Sequence, residues 1–246
     1  MKNQYFGDTR DLFKYDIIQH LYTELSPIER ILFIPMLTPD DTLNHGKKID
    51  YSKAKAGYLN IELVKYLSNC ILQNKRNIKN IINYFDVKGL NFHLYKPSDY
   101  LLQKSRDDYF RYLNNAILPH TLIFIDPDNG LEIKNPDSKH LLITELNKIF
   151  VQIDEYSILM IYQHFPRVNR KKYIATQLDR LKKITLYLSY ITDNQILFLF
   201  LTKKSSLKNA LQSSLLAYTK NYTQLLWGND IDEYKYTPLF KGRKIE

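Results

Sequence analysis

Short apolar runs alternate with longer amphipathic stretches along most of the chain. The runs 31–34, 122–125 and 158–162 have the length of buried strands, and 91–95 shows the alternation of a further strand. Apolar residues that recur every three or four positions predict helices at 8–25, 54–73, 78–85, 98–117, 138–153, 167–183 and 205–222. Strands that alternate with helices indicate a parallel sheet with helices on both faces.

The last two strand-like runs, 184–191 and 195–202, are separated only by Thr192, Asp193 and Asn194. So short a connection predicts an antiparallel hairpin. A parallel series that ends in a hairpin is typical of a three-layer Rossmann-like α/β sheet of the class I methyltransferase type. With no repeat or linker visible, the sequence predicts one domain over 1–246, in which 1–26 is a helix packed on the sheet and 223–246 a basic tail.

The residue counts exclude several kinds of site. The seven glycines never lie within ten residues of one another, so there is no dinucleotide fingerprint and no phosphate-binding P-loop. The single cysteine, Cys70, excludes a disulfide framework and multi-cysteine zinc sites. No apolar run suits a signal peptide or a membrane span, so we expect a cytoplasmic protein that is not bound to membranes.

The net charge of +9 favours a polyanionic partner, most often RNA or DNA. A lysine-rich surface that serves only solubility is the alternative explanation. A protein partner is also compatible with this composition.

Polar side chains follow three of the predicted strands. In open parallel sheets, ligands bind beyond the carboxyl ends of the strands, so these side chains are candidates for one site. The side chains that follow the later strands are predicted to be catalytic: Asp126, Asp128, Asn129 and His164. Those that follow the first strand are predicted to contact a cofactor: Thr38, Asp40 and Asp41.

Two chemistries can use such a set. In nucleobase methyltransferases, an Asp/Asn-Pro-Pro-aromatic turn holds the acceptor amine, and residues 126–129 occupy that place without the second proline and the aromatic. The glycine-rich turn that normally approaches S-adenosylmethionine is missing after the first strand, at 34–38. Alternatively, Asp40, Asp41, Asp126 and Asp128 could hold Mg²⁺ for phosphodiester hydrolysis, with His164 or Lys139 in proton transfer or charge stabilisation.

A cluster of basic residues begins directly after His164. We predict that the cluster, which consists of Arg167, Arg170, Lys171 and Lys172, contacts phosphates. Two lysines elsewhere in the chain, Lys14 and Lys139, are predicted to do the same. Structural explanations stand beside these roles. Charge runs are often solvated helix faces, Asp-Asn-Gly is a common turn, and Asp8 and Asp11 are placed to cap the first helix.

Five motifs carry a resemblance to known proteins: Asn-Gln-Tyr-Phe-Gly-Asp at 3–8, Asp-x-x-Lys-Tyr at 11–15, Met-Leu-Thr-Pro-Asp-Asp at 36–41, Asp-Pro-Asp-Asn-Gly-Leu-Glu at 126–132, and Tyr-Gln-His-Phe-Pro-Arg at 162–167. The chain resembles a little-characterised microbial family that carries these motifs. More distantly, it is similar to the ribosomal-RNA adenine methyltransferases and to the three-Cys-motif partner proteins. The resemblance implies a methyltransferase-like Rossmann fold.

Three functional hypotheses follow. The first is a divergent enzyme that uses S-adenosylmethionine to methylate RNA or DNA. The second is a Mg²⁺-dependent nuclease or phosphodiesterase of a defence or mobile-element system. The third is a non-catalytic module that binds nucleic acid or protein.

Overall fold

The computed structural model describes residues 1–42, 48–111, 113 and 117–229. Its central sheet has seven strands in the order β2-β1-β3-β6-β8-β7-β9, and a separate pair is formed by β4 and β5. The strands are β1 (Arg30–Ile34), β2 (Phe92–Leu94), β3 (Thr121–Ile125), β4 (Gly130–Leu131), β5 (His140–Leu141), β6 (Ile158–His164), β7 (Leu188–Thr192), β8 (Ile196–Leu201) and β9 (Leu226–Gly228).

The sheet is mixed but mostly parallel. Strands β2, β1, β3 and β6 pair in parallel, whereas β8 is antiparallel to both β6 and β7, and β9 is antiparallel to β7. Strands β1, β2, β3, β6 and β7 therefore run in one direction, which confirms the predicted α/β class. The ends of β1, β3 and β6 meet at one side of the sheet, which we call the carboxyl edge.

Helices cover both faces of the sheet: α1 (Thr9–Glu24), α2 (Ile61–Leu72), α3 (Asn80–Val87), α4 (Arg106–Arg111), α5 (Ile143–Gln152), α6 (Arg170–Leu181) and α7 (Ser205–Asn221). On one face, Phe13 of α1 packs edge-on against Phe198 of β8 with ring centroids 4.9 Å apart. On the other face, Ile125 of β3 belongs to the same buried cluster as Ile149 of α5 and Leu178 of α6. Adjacent strand residues point to opposite faces, so both layers bury apolar side chains of the same strands.

Helix α1 starts at Thr9, near the carboxyl edge, and Asp8 is its N-terminal cap. The Asp8 carboxylate accepts hydrogen bonds from the backbone N–H groups of Arg10 and Asp11, at 2.9 and 3.0 Å. The capping role predicted for Asp8 is thereby confirmed. Among the helices of the described ranges, none combines the length and apolar character that a bilayer span requires.

Two predicted helices are wrong over part of their length. In place of 98–117, α4 covers only Arg106–Arg111, while residues 112 and 114–116 lie outside the described part of the chain. The Leu101 N–H donates to the Leu37 carbonyl at 2.7 Å, which ties this segment to the chain beyond β1. The helix expected at 138–153 is preceded by the short strand β5 and starts only at Ile143, as α5. At this start, the Glu145 carboxylate accepts a hydrogen bond from the Leu142 N–H at 3.0 Å.

Further boundaries also differ from the prediction, and the strand expected at 184–191 begins only at Leu188. The helix expected at 54–73 begins at Ile61, because Gly57 takes a left-handed turn with φ of +82° and Asn60 caps the helix. The tail expected at 223–246 contributes Leu226–Gly228 to the sheet as β9. Residues 230–246 of that tail lie outside the described residues.

Candidate functional site at the carboxyl edge

A buried ion-pair network joins α1 to the end of β3. The Lys14 ammonium lies 2.8 Å from Asp126 Oδ2 and 3.0 Å from Asp11 Oδ1. It also lies 4.3 Å from the centre of the Tyr162 ring. Lys14 and Asp126 are only 5% and 1% exposed, so Lys14, which the sequence predicts to contact phosphate, is buried within this network.

The electrostatics of this network favour a charged lysine. Desolvation alone would lower the pKa of Lys14, but Asp126 and Asp11 outweigh it and hold the pKa well above its usual range. The pair of carboxylates therefore surrounds a permanent positive charge. Asp126, predicted to be catalytic, has a structural partner at hydrogen-bond distance.

The turn after β3 is fixed by Gln163 at the end of β6. Gln163 Oε1 accepts from the Leu131 N–H at 2.7 Å, and its Nε2 donates to the His164 carbonyl at 2.9 Å. Gly130 has φ of +91°, and a Cβ at that position would come under 3.0 Å from the Gln163 side chain. The backbone conformation thus favours a glycine in the Asp-Asn-Gly turn, and a side chain there would also displace the Gln163 amide.

The other two polar residues of that turn have different surroundings. Asp128 Oδ2 accepts from the Thr38 hydroxyl at 3.1 Å, which joins the ends of β1 and β3. The Asn129 side chain is exposed, and its backbone N–H donates to the Lys139 carbonyl at 2.9 Å. Lys139 is half-buried beside it.

The residues predicted to bind a cofactor hold the N-terminal segment, residues 1–5. The Thr38 N–H donates to the Met1 carbonyl at 2.8 Å, and Asp40 Oδ1 accepts from the Gln4 N–H at 3.1 Å. Asp41 accepts from Gln4 Nε2 at 2.9 Å, and its own N–H donates to Gln4 Oε1 at 2.8 Å. This segment therefore lies across the end of β1.

Lys2 completes these contacts. Its side chain is almost fully buried and forms an ion pair with Asp41. Neither Lys2 nor Gln4 is predicted to have a role from the sequence. Gln4 lies within the motif at 3–8 and Lys2 directly before it, so the motif is the one sequence signal that points to this segment. Nothing in the residue pattern identifies Asp40 and Asp41 as the partners of these two residues.

The four carboxylates proposed as magnesium ligands do not gather around one point. Asp40 and Asp41 contact the N-terminal segment, Asp126 faces Lys14, and Asp128 bonds to Thr38. Within the described ranges, no group of three or more His, Cys, Asp or Glu side chains is arranged to hold a metal ion.

The residues after β1 do not fit S-adenosylmethionine. Met36 is fully buried and takes a left-handed conformation with φ of +42°, where a glycine is expected. The adjacent cleft, which we call the inner cleft, is lined by Met1, Tyr5, Asp8, Arg10, Lys14, Asp126, Pro127, Asp128, Tyr162 and His164. Its volume of about 20 Å³ accommodates roughly one water molecule, far less than a nucleoside cofactor needs.

His164 lies where β6 ends and lines two clefts. The Tyr162 hydroxyl lies 3.1 Å from His164 Nε2. Burial, together with the positive charges of Arg10 and Lys14, lowers the pKa of His164 to about 3. The imidazole is therefore neutral at pH 7, and its pKa is too low for efficient general acid–base catalysis at that pH.

A second cleft, the outer cleft, is also lined by His164 and has a volume of about 300 Å³. Its aromatic wall is formed by Phe165 and Tyr173, whose ring centroids are 5.7 Å apart. The Arg170 guanidinium lies 4.6 Å from the centre of the Phe165 ring. The remaining lining residues are Asn129, Leu131, Glu132, Ile133, His140, Gln163, His164, Pro166, Gln177 and Arg180.

The start of α6 lies beside the outer cleft, which Tyr173 of this helix lines. Asn169 caps the helix by accepting from the Lys172 N–H at 3.0 Å. Arg167, Lys171 and Lys172 are exposed at this end of the helix, in agreement with the basic surface that the sequence suggested. Phe165 and Tyr173 were not predicted as site residues, although both lie next to the basic cluster in the sequence.

No protein-family model matches this chain, and no match is found among curated proteins or solved structures. Its function is therefore inferred from the side chains and their geometry.

Proposed function

We propose that this chain binds an unpaired stretch of RNA or DNA at the carboxyl edge of a methyltransferase-like sheet. The outer cleft, with its aromatic wall and with exposed basic residues at the start of the neighbouring helix α6, is the observation that carries the proposal. A parallel series finished by the antiparallel strands β8 and β7 supports the methyltransferase-like fold.

The outer cleft suits a nucleobase in size and chemistry. Its volume of about 300 Å³ lies at the lower end of the range for small-molecule clefts, which run from about 300 to 1,000 Å³. Phe165 and Tyr173 both line the cleft, and stacking of a base on an aromatic side chain contributes about 1–3 kcal/mol per base in single-strand binding proteins. Asn129, which is exposed, adds an amide group that can meet the polar edge of a base.

The charges around the cleft suit a phosphate backbone. Arg167, Lys171 and Lys172 are exposed near it, at the start of α6, and the chain as a whole carries a net charge of +9. The acidic residue of the cleft, Glu132, lies 3.6 Å from Arg180 and is thus offset by a positive charge. A polyanion that approaches this end of α6 meets mainly positive charge.

Neither a methyl donor nor a magnesium ion is part of this proposal. The N-terminal segment occupies the end of β1, and the carboxylates of the site have protein partners. The side chains at the carboxyl edge are thus engaged in fixing its shape. Binding, rather than methyl transfer or metal-assisted hydrolysis, is the activity that this arrangement supports best.

The salt dependence of binding tests the proposal. We expect a labelled single-stranded oligonucleotide to bind the wild-type protein, with an affinity that falls as salt rises. The double variant Lys171→Gln/Lys172→Gln removes up to two positive charges that meet phosphates. Its slope of log K against log salt should therefore be smaller in magnitude by about 0.7 for each phosphate that is no longer neutralised. Fluorescence anisotropy at several salt concentrations measures this slope.

The other end of the same helix provides a matched control. Lys182→Gln/Lys183→Gln removes the same charge roughly 16 Å away, given a rise of about 1.5 Å per helical residue. We expect this variant to keep the wild-type slope. Equal slopes for the two double variants, or no binding by the wild-type protein at low salt, would contradict the proposal.

A further inference from the structure

We infer that Arg10 binds a phosphate group of the bound nucleic acid at the mouth of the inner cleft. The inference rests on the proposed function and adds to it a specific anion-binding residue. It assigns a role to the inner cleft, which neither a methyl donor nor a metal explains.

Arg10 carries a buried donor that the protein leaves unpaired. Its Nε is buried and has no hydrogen-bond partner in the described structure. A buried donor without an acceptor is destabilising, and the cost is larger for a charged group. An acceptor supplied by a ligand would remove that cost.

The carboxylates near Arg10 are engaged with other groups. Asp8 Oδ1 accepts the two backbone N–H groups that start α1, and Asp126 pairs with Lys14. Asp128 accepts from Thr38. Arg10 takes part in none of the ion pairs found within the described ranges, whereas Lys14 is shared between two carboxylates.

The inner cleft limits what Arg10 can bind there. Arg10 is the second residue of α1 and lines this cleft beside Asp8, which caps the helix. The inner cleft has a volume of about 20 Å³, so it admits a single oxygen atom rather than a whole phosphate. One non-bridging phosphate oxygen at the mouth of the cleft would fit this volume and would accept a hydrogen bond from Arg10 Nε.

His164 connects this position to the outer cleft. It lines both clefts, so the two clefts adjoin at this residue. A nucleotide whose base stacks in the outer cleft can therefore present an adjacent phosphate to Arg10. His164, which is neutral at pH 7, adds no charge that would compete with Arg10 for the phosphate.

Arg10→Met tests the inference through two independent measurements. Without ligand, the variant should melt about 2–4 °C higher than the wild-type protein, because an unpaired buried donor has been replaced by an apolar group. With a single-stranded oligonucleotide, the variant should bind about tenfold more weakly or worse, since it cannot form the hydrogen bond from a charged group. Arg111→Met is the control: Arg111 is exposed on α4 and pairs with Asp108, so neither measurement should change appreciably.

Neutral backbone linkages identify the phosphate. In a series of oligonucleotides that each carry one methylphosphonate linkage, one position should weaken wild-type binding about tenfold and leave Arg10→Met binding unchanged. Inorganic phosphate at the same concentration should not reproduce the effect of the oligonucleotide on the melting temperature. If it does, the site is one for free phosphate and the inference is overturned.

The remaining outcomes separate this inference from the proposed function. If Arg10→Met binds as tightly as the wild-type protein while Lys171→Gln/Lys172→Gln binds more weakly, the inference fails and the proposed function stands. If Arg10→Met melts at a lower temperature, Arg10 is a structural residue and the inference also fails. If the wild-type protein binds no oligonucleotide at low salt, both fail together.

Discussion

Replacement of Lys14 by methionine is expected to lower the free energy of unfolding by about 3–5 kcal/mol. The substitution leaves Asp11 and Asp126 buried next to each other without the ammonium that lies 3.0 and 2.8 Å away. Uncompensated buried charge is among the most destabilising changes in a protein core. Urea unfolding followed by circular dichroism measures the effect.

An exposed pair with the same spacing is the control for this substitution. Lys53 pairs with Asp50 at 2.8 Å, three residues apart like Lys14 and Asp11, but its side chain is 81% exposed. We expect Lys53→Met to leave the unfolding curve unchanged, because solvent screens exposed pairs. Lys14→Met/Asp126→Asn should recover part of the stability by removing one of the two unpaired charges. Equal effects of Lys14→Met and Lys53→Met would show that burial of the network is unimportant.

Gly130→Ala is expected to lower the free energy of unfolding by about 2–4 kcal/mol, as the sum of backbone strain and overpacking. The φ of +91° disfavours any side chain, and the new Cβ would come under 3.0 Å from Gln163. Relief of that collision displaces Gln163, whose Oε1 accepts from the Leu131 N–H at 2.7 Å. The same unfolding measurement detects the change in stability.

Gly89→Ala separates the two causes. Gly89 also has a positive φ, of +67°, but nothing lies within 4 Å of a Cβ built on it. This variant should therefore show only the strain, about 1–2 kcal/mol. In the double variant Gly130→Ala/Gln163→Ala the collision is absent. Its loss of unfolding free energy should therefore be smaller than the sum of the losses in the two single variants. Equal costs at Gly130 and Gly89 would mean that Gln163 does not determine the choice of glycine.

The strands of this fold could be predicted because their signals are local. The runs 31–34, 122–125 and 158–162 are continuously apolar, as expected for strands covered on both faces, and they correspond to β1, β3 and most of β6. Their parallel pairing then places the residues that follow them at one edge. Asp126, Asp128 and His164 accordingly line one cleft.

The partners of those residues could not be predicted, because they depend on contacts distant in sequence. Lys14 and Asp126 are 112 positions apart, and no periodicity indicates that a lysine in α1 is buried against the end of β3. Asp41 meets Gln4 across 37 positions. The segment that was expected to be helical from 98 is held partly by a backbone bond to Leu37, and backbone bonds leave no pattern in the residue types.

The location of the bound nucleic acid tests the central claim most directly. Hydrogen exchange, measured with and without a short single-stranded oligonucleotide, reports which backbone amides become protected. We expect protection in 163–173, where β6 ends and α6 begins, and no change in 182–188 beyond the other end of α6. Binding that protects other parts of the chain but leaves 163–173 unchanged would contradict a nucleic-acid site at the carboxyl edge.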